Sequence, residues 1–253
     1  MSGEGRQPEA RGPQPAARSP QPDKTPAKIA GMFDAIAGRY DLLNIVLSGG
    51  MDRLWRRQMI NSLRLTGQQR VVDVCTGTAD VALGCARGGA AEVVGVDFSG
   101  SMLVHGLEKV RRASLSDRVH LVRGDAMGLP VADQSVHAAT IAFGIRNVFR
   151  PEVACQELAR ALKPGGRVAI LEFGTPDSRV FAPLYSWYSR NVLPRIGRLV
   201  SGHDAAYTYL PESIGTFAYG EDFAKILRAS GFSQVEARPL MFGAVYLYTG
   251  VRS

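Results

Sequence analysis

The chain has 253 residues, 45% of them hydrophobic, with a mean hydropathy of −0.03. These are the proportions of one folded globular domain, and no stretch reaches the roughly 18 unbroken apolar residues that a membrane-spanning helix needs. A net charge of +7 admits anionic partners, nucleic acid or a lipid surface, without choosing between them or a merely solubilising surface.

Three cysteines, Cys75, Cys85 and Cys155, form no CxxC pair and leave an odd number. That argues against a disulfide framework and a structural zinc site, and no metal is expected. With no apolar export signal at the N-terminus, a cytoplasmic protein is expected.

Residues 1–27 carry six of the fourteen prolines and almost no large apolar side chain, the composition of a disordered tail. From Ile29 the apolar residues Met32, Phe33 and Ile36 recur at helical spacing, and Asp52 to Leu63 repeats the rhythm. Helices preceding the main fold are therefore expected over 28–66. After Gly67 the texture changes to short β-branched runs: RVVDVC (70–75), EVVGVD (92–97), VHLVRG (119–124), HAATIAF (137–143) and RVAILEF (167–173). Helix-like segments, Ala79–Arg87, Ser101–Ser114 and Glu152–Leu162, lie between them. Apolar strands alternating with helices predict an α/β fold with a mostly parallel sheet covered on both faces. The LKPGGR turn (162–167) stops a helix and starts a strand. Two last runs, near 235–240 and 244–251, are close enough for a hairpin, so one C-terminal strand is expected to be antiparallel.

Ligands of such sheets sit at the C-terminal ends of strands, near the point where strand order reverses. The first such end reads Asp73-Val74-Cys75-Thr76-Gly77-Thr78-Ala79-Asp80, and Asp97 closes the second strand twenty residues after Gly77. An acid there accepts hydrogen bonds from a ribose diol. A dinucleotide also requires GxGxxG, so that its pyrophosphate can lie on bare backbone. This loop has one glycine among hydroxyls, which suits S-adenosylmethionine, whose amino-acid end carries no phosphate. Gly124-Asp125-Ala126, ending the third strand, offers a carboxylate and an amide to an adenine edge. Helix capping by Asp97 and Asp125 is the competing reading of each acid taken alone.

Several longer segments carry a family resemblance, from about Lys28 to Arg252. FDAIAGRYDLLN (33–44), LSGGMDRLWRR (47–57), RALKPGGRVAILEFG (160–174), FGIRNV (143–148) and VLPRIGRLVSGHDAAYTYLPESI (192–214) resemble the ubiquinone/menaquinone biosynthesis C-methyltransferases. The resemblance implies a Rossmann-like class I methyltransferase fold of seven strands and methyl transfer from S-adenosylmethionine to a ring carbon of a demethylated, prenylated quinol. Demethylmenaquinol is the favoured acceptor, with the ubiquinone-type benzoquinol beside it. It carries cofactor contacts over to Thr78, Asp97, Asp125 and Ala126, beside Asp73, Gly77 and Ala142. Three positions depart from the pattern: Asp52 replaces a usual His, Gly174 a usual Ser, and Ala142 a Ser that usually contacts the cofactor.

A quinol carbon is most nucleophilic when a ring hydroxyl is ionised, which calls for a base or a cation. Arg146 is the candidate cation, with Asn147 to orient it; an Arg paired to a nearby carboxylate is the alternative. Candidate bases are His203, Tyr207 and Asp204, then Tyr40 and Asp41, which serve equally as anchors of the N-terminal helices. Residues 67–175 are read as the cofactor core, 176–232 as a substrate lid and 233–253 as the hairpin. Between Asp177 and Asp204, arginines interleave with aromatics and no acid occurs, which fits transient contact with the inner face of a membrane as well as a core helix with a basic edge. The oligomeric expectation is open between monomer and homodimer. A nucleic-acid methyltransferase is disfavoured, because FGIR (143–146) stands where such enzymes carry an Asn-Pro-Pro-aromatic turn. A methyltransferase for another phenol or lipid-like acceptor shares the whole cofactor half. A nicotinamide oxidoreductase lacks its glycines, and a non-catalytic quinone-binding protein has no need of the intact acids.

Overall fold

A computed structural model describes residues 25–176 and 213–253, with residues 183, 187, 188, 191 and 209 between them. The strands are β1 (Arg70–Val74), β2 (Glu92–Asp97), β3 (Val119–Arg123), β4 (Val136–Ala142), β5 (Leu162–Phe173), β6 (Phe232–Leu240) and β7 (Val245–Arg252). They form one seven-stranded sheet in the order β3-β2-β1-β4-β5-β7-β6. Neighbours are parallel except β7, which runs antiparallel to both β5 and β6. The expected hairpin is thus present, and β7 is its reversed strand.

Helices with both ends among the described residues are α1 (Pro26–Ile36), α2 (Tyr40–Ser48), α3 (Met51–Ser62), α4 (Asp80–Arg87), α5 (Gly100–Arg112), α6 (Pro151–Ala161) and α7 (Glu221–Ala229). Strand residues alternate between two cores, as the period of two requires. Val72, Val74 and Ile141 pack with Leu158 of α6 and Phe223 and Leu227 of α7. Val71, Val93 and Leu171 face Met59 of α3, Leu83 of α4 and Val110 of α5. A third cluster joins Ile36, Ala37 and Leu43 to Met102, and so seats the N-terminal helices on α5.

Three details differ from the sequence reading. Helix α2 is not distinguished by the sequence reading, because its six-residue run LLNIVL is too short for periodicity alone to tell a helix from a strand. It ends at Gly49 and α3 begins after Gly50; both glycines take positive φ (59° and 80°), a reversal that a side chain would oppose. Strand β5 begins at Leu162, not Arg167: Leu162 already pairs with Val136 before the KPGG segment bulges out and Arg167 pairs with Ala138. Helix α7 falls inside the stretch read only as a lid.

The topology fixes where a ligand can sit. The chain steps outward from β1 through β2 to β3, then crosses back to place β4 on the other side of β1. The C-terminal ends of β1 and β4 therefore part, and a crevice opens between the loops that leave them.

Candidate functional site

That crevice is a cleft of about 100 Å3. Cys75 and Gly77 after β1, Asp97 at the end of β2, Asp125 and Ala126 after β3, and Ala142 at the end of β4 line it. Phe33 of α1 and Tyr40 of α2 line it from the opposite side, so the N-terminal helices cover the strand ends.

Asp97 is the acid at its centre. It accepts hydrogen bonds from the backbone N–H of Gly77 (2.7 Å) and of Ser99 (2.8 Å), which hold the β1 and β2 loops against one carboxylate. Burial pushes its carboxyl above the usual range, against the pull of those two donors. Asp125 accepts from the N–H of Met127 (2.8 Å), which fixes the turn after β3. Three non-glycine residues of the surrounding loops take left-handed backbone: Cys75 (φ 55°), Ala79 (67°) and Phe143 (58°). Each such residue costs about 1–3 kcal/mol, and such strain gathers at functional sites. Gly144 lets the β1 and β4 loops meet, since a Cβ there would stand 2.4 Å from Cys75 Cβ.

Two sequence-predicted contacts do not line the cleft. Asp73 is buried beneath it and accepts from Thr76 Oγ1 (2.6 Å) and Thr140 Oγ1 (2.7 Å), bracing β1 against β4 and the loop. Burial raises its carboxyl to about 6, opposed by the two hydroxyls. Because the folded-state value exceeds the ordinary aspartate value of 3.8, the folded chain holds this proton more tightly. The stability it contributes is complete below about pH 4 and lost as pH rises through about 6. Relative to Asp73→Asn, the wild type is thus expected to lose about 3 kcal/mol between pH 3 and pH 7. Urea unfolding of both proteins at the two pH values checks this; a pH-independent difference refutes it. Thr78 is also buried, and its hydroxyl donates to Asp41 Oδ1 (2.5 Å) instead of facing the cleft.

Asp41 is an anchor. It pairs with Lys109 of α5 (2.8 Å), which also pairs with Asp80 of α4; Asp80 in turn takes Arg56 of α3 (3.0 Å), and Arg56 takes Asp52 (2.7 Å). Asp34 accepts from Ser99 Oγ (2.5 Å) and the Ser101 N–H (3.2 Å), latching α1 beside Asp97. This network ties the N-terminal helices over the strand ends.

Behind the shared wall of Phe33, Tyr40 and Phe143 lies a second, larger cavity of about 490 Å3. Leu43, Leu47, Trp55, Phe173 and Val245 make it mainly apolar. Arg146 lines this cavity while Asn147 lines the cleft, because the turn of 3-10 helix they share (Ile145–Asn147) sits between the two. Arg146 pairs with Glu172 (2.6 Å) and donates to the Phe143 carbonyl (2.7 Å) through the same Nη1. Glu172 also accepts from the backbone N–H of Arg146 (3.1 Å) and of Phe173 (2.8 Å). The guanidinium lies 5.1 Å from the centre of the Phe173 ring. Arg146 thus has a carboxylate partner and also faces the cavity. Glu172 was missed in the sequence, although a carboxylate inside the apolar run VAILEF is itself the signal of a buried pair.

His203, Tyr207 and Asp204 lie outside the described residues, as does most of the basic and aromatic stretch 177–204. Of that stretch, Trp187 and Tyr188 line the second cavity, and Tyr188 donates to the Leu47 carbonyl (3.1 Å). No helix among the described residues is long and apolar enough to cross a membrane.

A seven-stranded sheet with one reversed strand, an acid at the end of β2 and a cleft at the switch point define a class I S-adenosylmethionine-dependent methyltransferase. A structure of a putative S-adenosyl-L-methionine-dependent methyltransferase from Methanococcus maripaludis shares the fold: TM-score 0.62, 18% identity, 87% of this chain and 94% of that one. The sequence model of the ubiE/COQ5 methyltransferase family matches residues 22–252, and the chain belongs to that family. It is 48% identical to a ubiquinone/menaquinone biosynthesis C-methyltransferase of Syntrophotalea carbinolica, over 88% of this chain and 93% of the relative. With a demethylmenaquinone methyltransferase of Bacteroides fragilis it shares 41% identity, over 90% and 94%.

Proposed function

We propose that this protein transfers a methyl group from S-adenosylmethionine to a ring carbon of demethylmenaquinol, and that it accepts the corresponding prenylated benzoquinol of ubiquinone biosynthesis as a second substrate. The observation that carries the reading is the pair of cavities sharing one wall: a cleft that holds the carboxylates Asp97 and Asp125, and an apolar chamber beyond Tyr40 and Phe143. Family membership gives the reaction class.

The residues present fit the methyl donor. Asp97 keeps lone pairs beyond those used by Gly77 and Ser99, which suits the two hydroxyls of a ribose. Asn147 Oδ1 is buried at the cleft without a hydrogen-bond donor, as expected of an acceptor that a ligand N–H completes. Asp125 and Ala126 would meet the adenine edge. Ala142 offers only backbone there, and Gly77 leaves room for close approach. The donor supplies a methyl on a sulfonium, an electrophile that is already activated.

The chain's own task is to bring an electron-rich carbon to about 3–3.5 Å from that methyl and to exclude water. Phe33, Tyr40 and Phe143 form the wall where the two ligands meet, and Arg146 places a fixed positive charge on the acceptor side. A quinol supplies the nucleophilic carbon and a quinone does not, so the reduced ring is the substrate. The prenyl chain leaves through the cavity mouth, where Val46, Trp187 and Met241 are exposed and Phe242 next to them is 69% exposed. That apolar rim supports transient contact with a membrane surface. Co-sedimentation with liposomes at low salt is expected, and its failure counts against the contact.

Incubation with labelled S-adenosylmethionine and chemically reduced demethylmenaquinol is expected to label the quinone. Methylation of the oxidised quinone, with reductant rigorously excluded, would overturn the quinol requirement. Absence of label while S-adenosylmethionine still binds would move the acceptor to the benzoquinol or another lipid phenol.

A further inference from the structure

Five buried side-chain nitrogen or oxygen atoms among the described residues have no hydrogen-bond partner: Asn44 Nδ2, Arg56 Nε, Arg146 Nε, Asn147 Oδ1 and Tyr209 Oη. Buried polar groups are ordinarily paired, and an orphan costs about 1–3 kcal/mol. These five are not scattered. The lone obligate acceptor, Asn147, lines the cofactor cleft, and the other four belong to residues lining the second cavity.

The four are of one kind. An amide Nδ2 and two guanidinium Nε atoms can only donate, and a neutral tyrosine hydroxyl donates as well. Burial pushes the pKa of both Tyr209 and Tyr40 upward, so these phenols keep their protons at neutral pH. Arg146 uses only Nη1 and its backbone N–H in hydrogen bonds. Its other edge, Nε with Nη2, is unengaged among the described residues. Asn44 stands beside the Tyr40 hydroxyl without the geometry of a hydrogen bond. Among the described residues, the charged and titratable groups of the lining are Arg146, Arg56, Asp52, Tyr40, Tyr188 and Tyr209. Asp52, the one carboxylate among them, is engaged by Ser48 Oγ (3.0 Å) and Arg56 Nη1 (2.7 Å). Glu172 is committed to Arg146 and the strand.

We infer that Asn44 Nδ2 and the Tyr209 hydroxyl, with the Nε–Nη2 edge of Arg146, offer converging donors to an ionised ring oxygen, so that the acceptor is bound as its monoanion. This rests on the quinol reading above and adds two residues to it. The O–H bond of one ring hydroxyl breaks on binding and the proton leaves to water; the electron pair stays on oxygen and enriches the adjacent ring carbon. Donors prepositioned in an apolar chamber favour such a charge far more than water-facing ones do. Glu172 acts through Arg146, holding Nη1 so that the opposite edge stays directed at the ligand.

The test uses 2-naphthol, whose absorption changes on ionisation, with the purified full chain. The bound naphthol is expected to ionise about one pH unit below free naphthol, a tenfold preference for the anion. Tyr209→Phe and Asn44→Leu are each expected to reduce that preference about fivefold or more, with S-adenosylmethionine binding retained as evidence of folding. Ionisation of bound naphthol at its free value, a shift that survives both substitutions, or no naphthol binding by protein that methylates demethylmenaquinol would each overturn the inference. Naphtholate preference without transfer to demethylmenaquinol would leave the anion pocket standing and remove the quinol reading.

Discussion

Asp97→Ala is expected to abolish methyl transfer by removing the methyl donor's binding site. Asp97 sits at the end of β2 inside the cleft, where burial already raises its carboxyl. A hydrogen bond to a charged group contributes about 1.5–3 kcal/mol, so losing two from a ribose costs on the order of 3–6 kcal/mol. That corresponds to roughly 100-fold weaker binding or more. The substitution also strips the Gly77 and Ser99 amides of their common acceptor, so the two loops lose their mutual register. Calorimetric titration with S-adenosylmethionine separates this from an acceptor defect. Binding within about threefold of wild type would show that Asp97 does not hold the donor.

Glu172→Ala is expected to have the largest effect on stability. Its carboxylate is completely buried and engages Arg146 Nη1 together with two backbone amides. Removing one partner of a buried pair leaves the other charge uncompensated, at about 3–5 kcal/mol. Among the described residues Arg146 has no second carboxylate: its remaining Nη1 contact is the Phe143 carbonyl, and its guanidinium also lies over the Phe173 ring. The double variant Glu172→Ala with Arg146→Leu is expected to recover a large part of that loss, because no charge is then stranded. Urea unfolding of the single and double variants decides it. A single variant within about 1 kcal/mol of wild type would mean that the cavity hydrates the arginine well enough to need no partner.

Arg146 shows how an either-or reading of sequence can dissolve in three dimensions. A paired arginine and a ligand-facing arginine looked like alternatives along the chain. A guanidinium has more than one edge, and here Nη1 pairs with Glu172 while the residue also lines the cavity. Asp73 shows the reverse. It stands in the strand-end motif where a ligand contact is expected, yet both its oxygens are spent on Thr76 and Thr140. Motif position places a residue at a strand end; only the pleat decides whether its side chain faces the ligand or the layer beneath.

What the sequence determined by itself was the sheet, its reversed C-terminal strand, and the acids and glycine at the strand ends. All of these follow from local signals: β-branched runs, turn glycines and fixed spacing along one chain. It also carried the family resemblance, and the family's sequence model matches residues 22–252. Tertiary structure alone decided which polar residues meet. Asp34 reaches Ser99, Asp41 reaches Thr78 and Lys109, and Arg146 reaches Glu172. Asn44, Arg146 and Tyr209 come to one cavity from three distant stretches of chain. No periodicity encodes such meetings. They arise because burying the apolar faces of α1 to α3 against α5 and the sheet carries their polar residues to a shared boundary, where each must find a partner or a ligand.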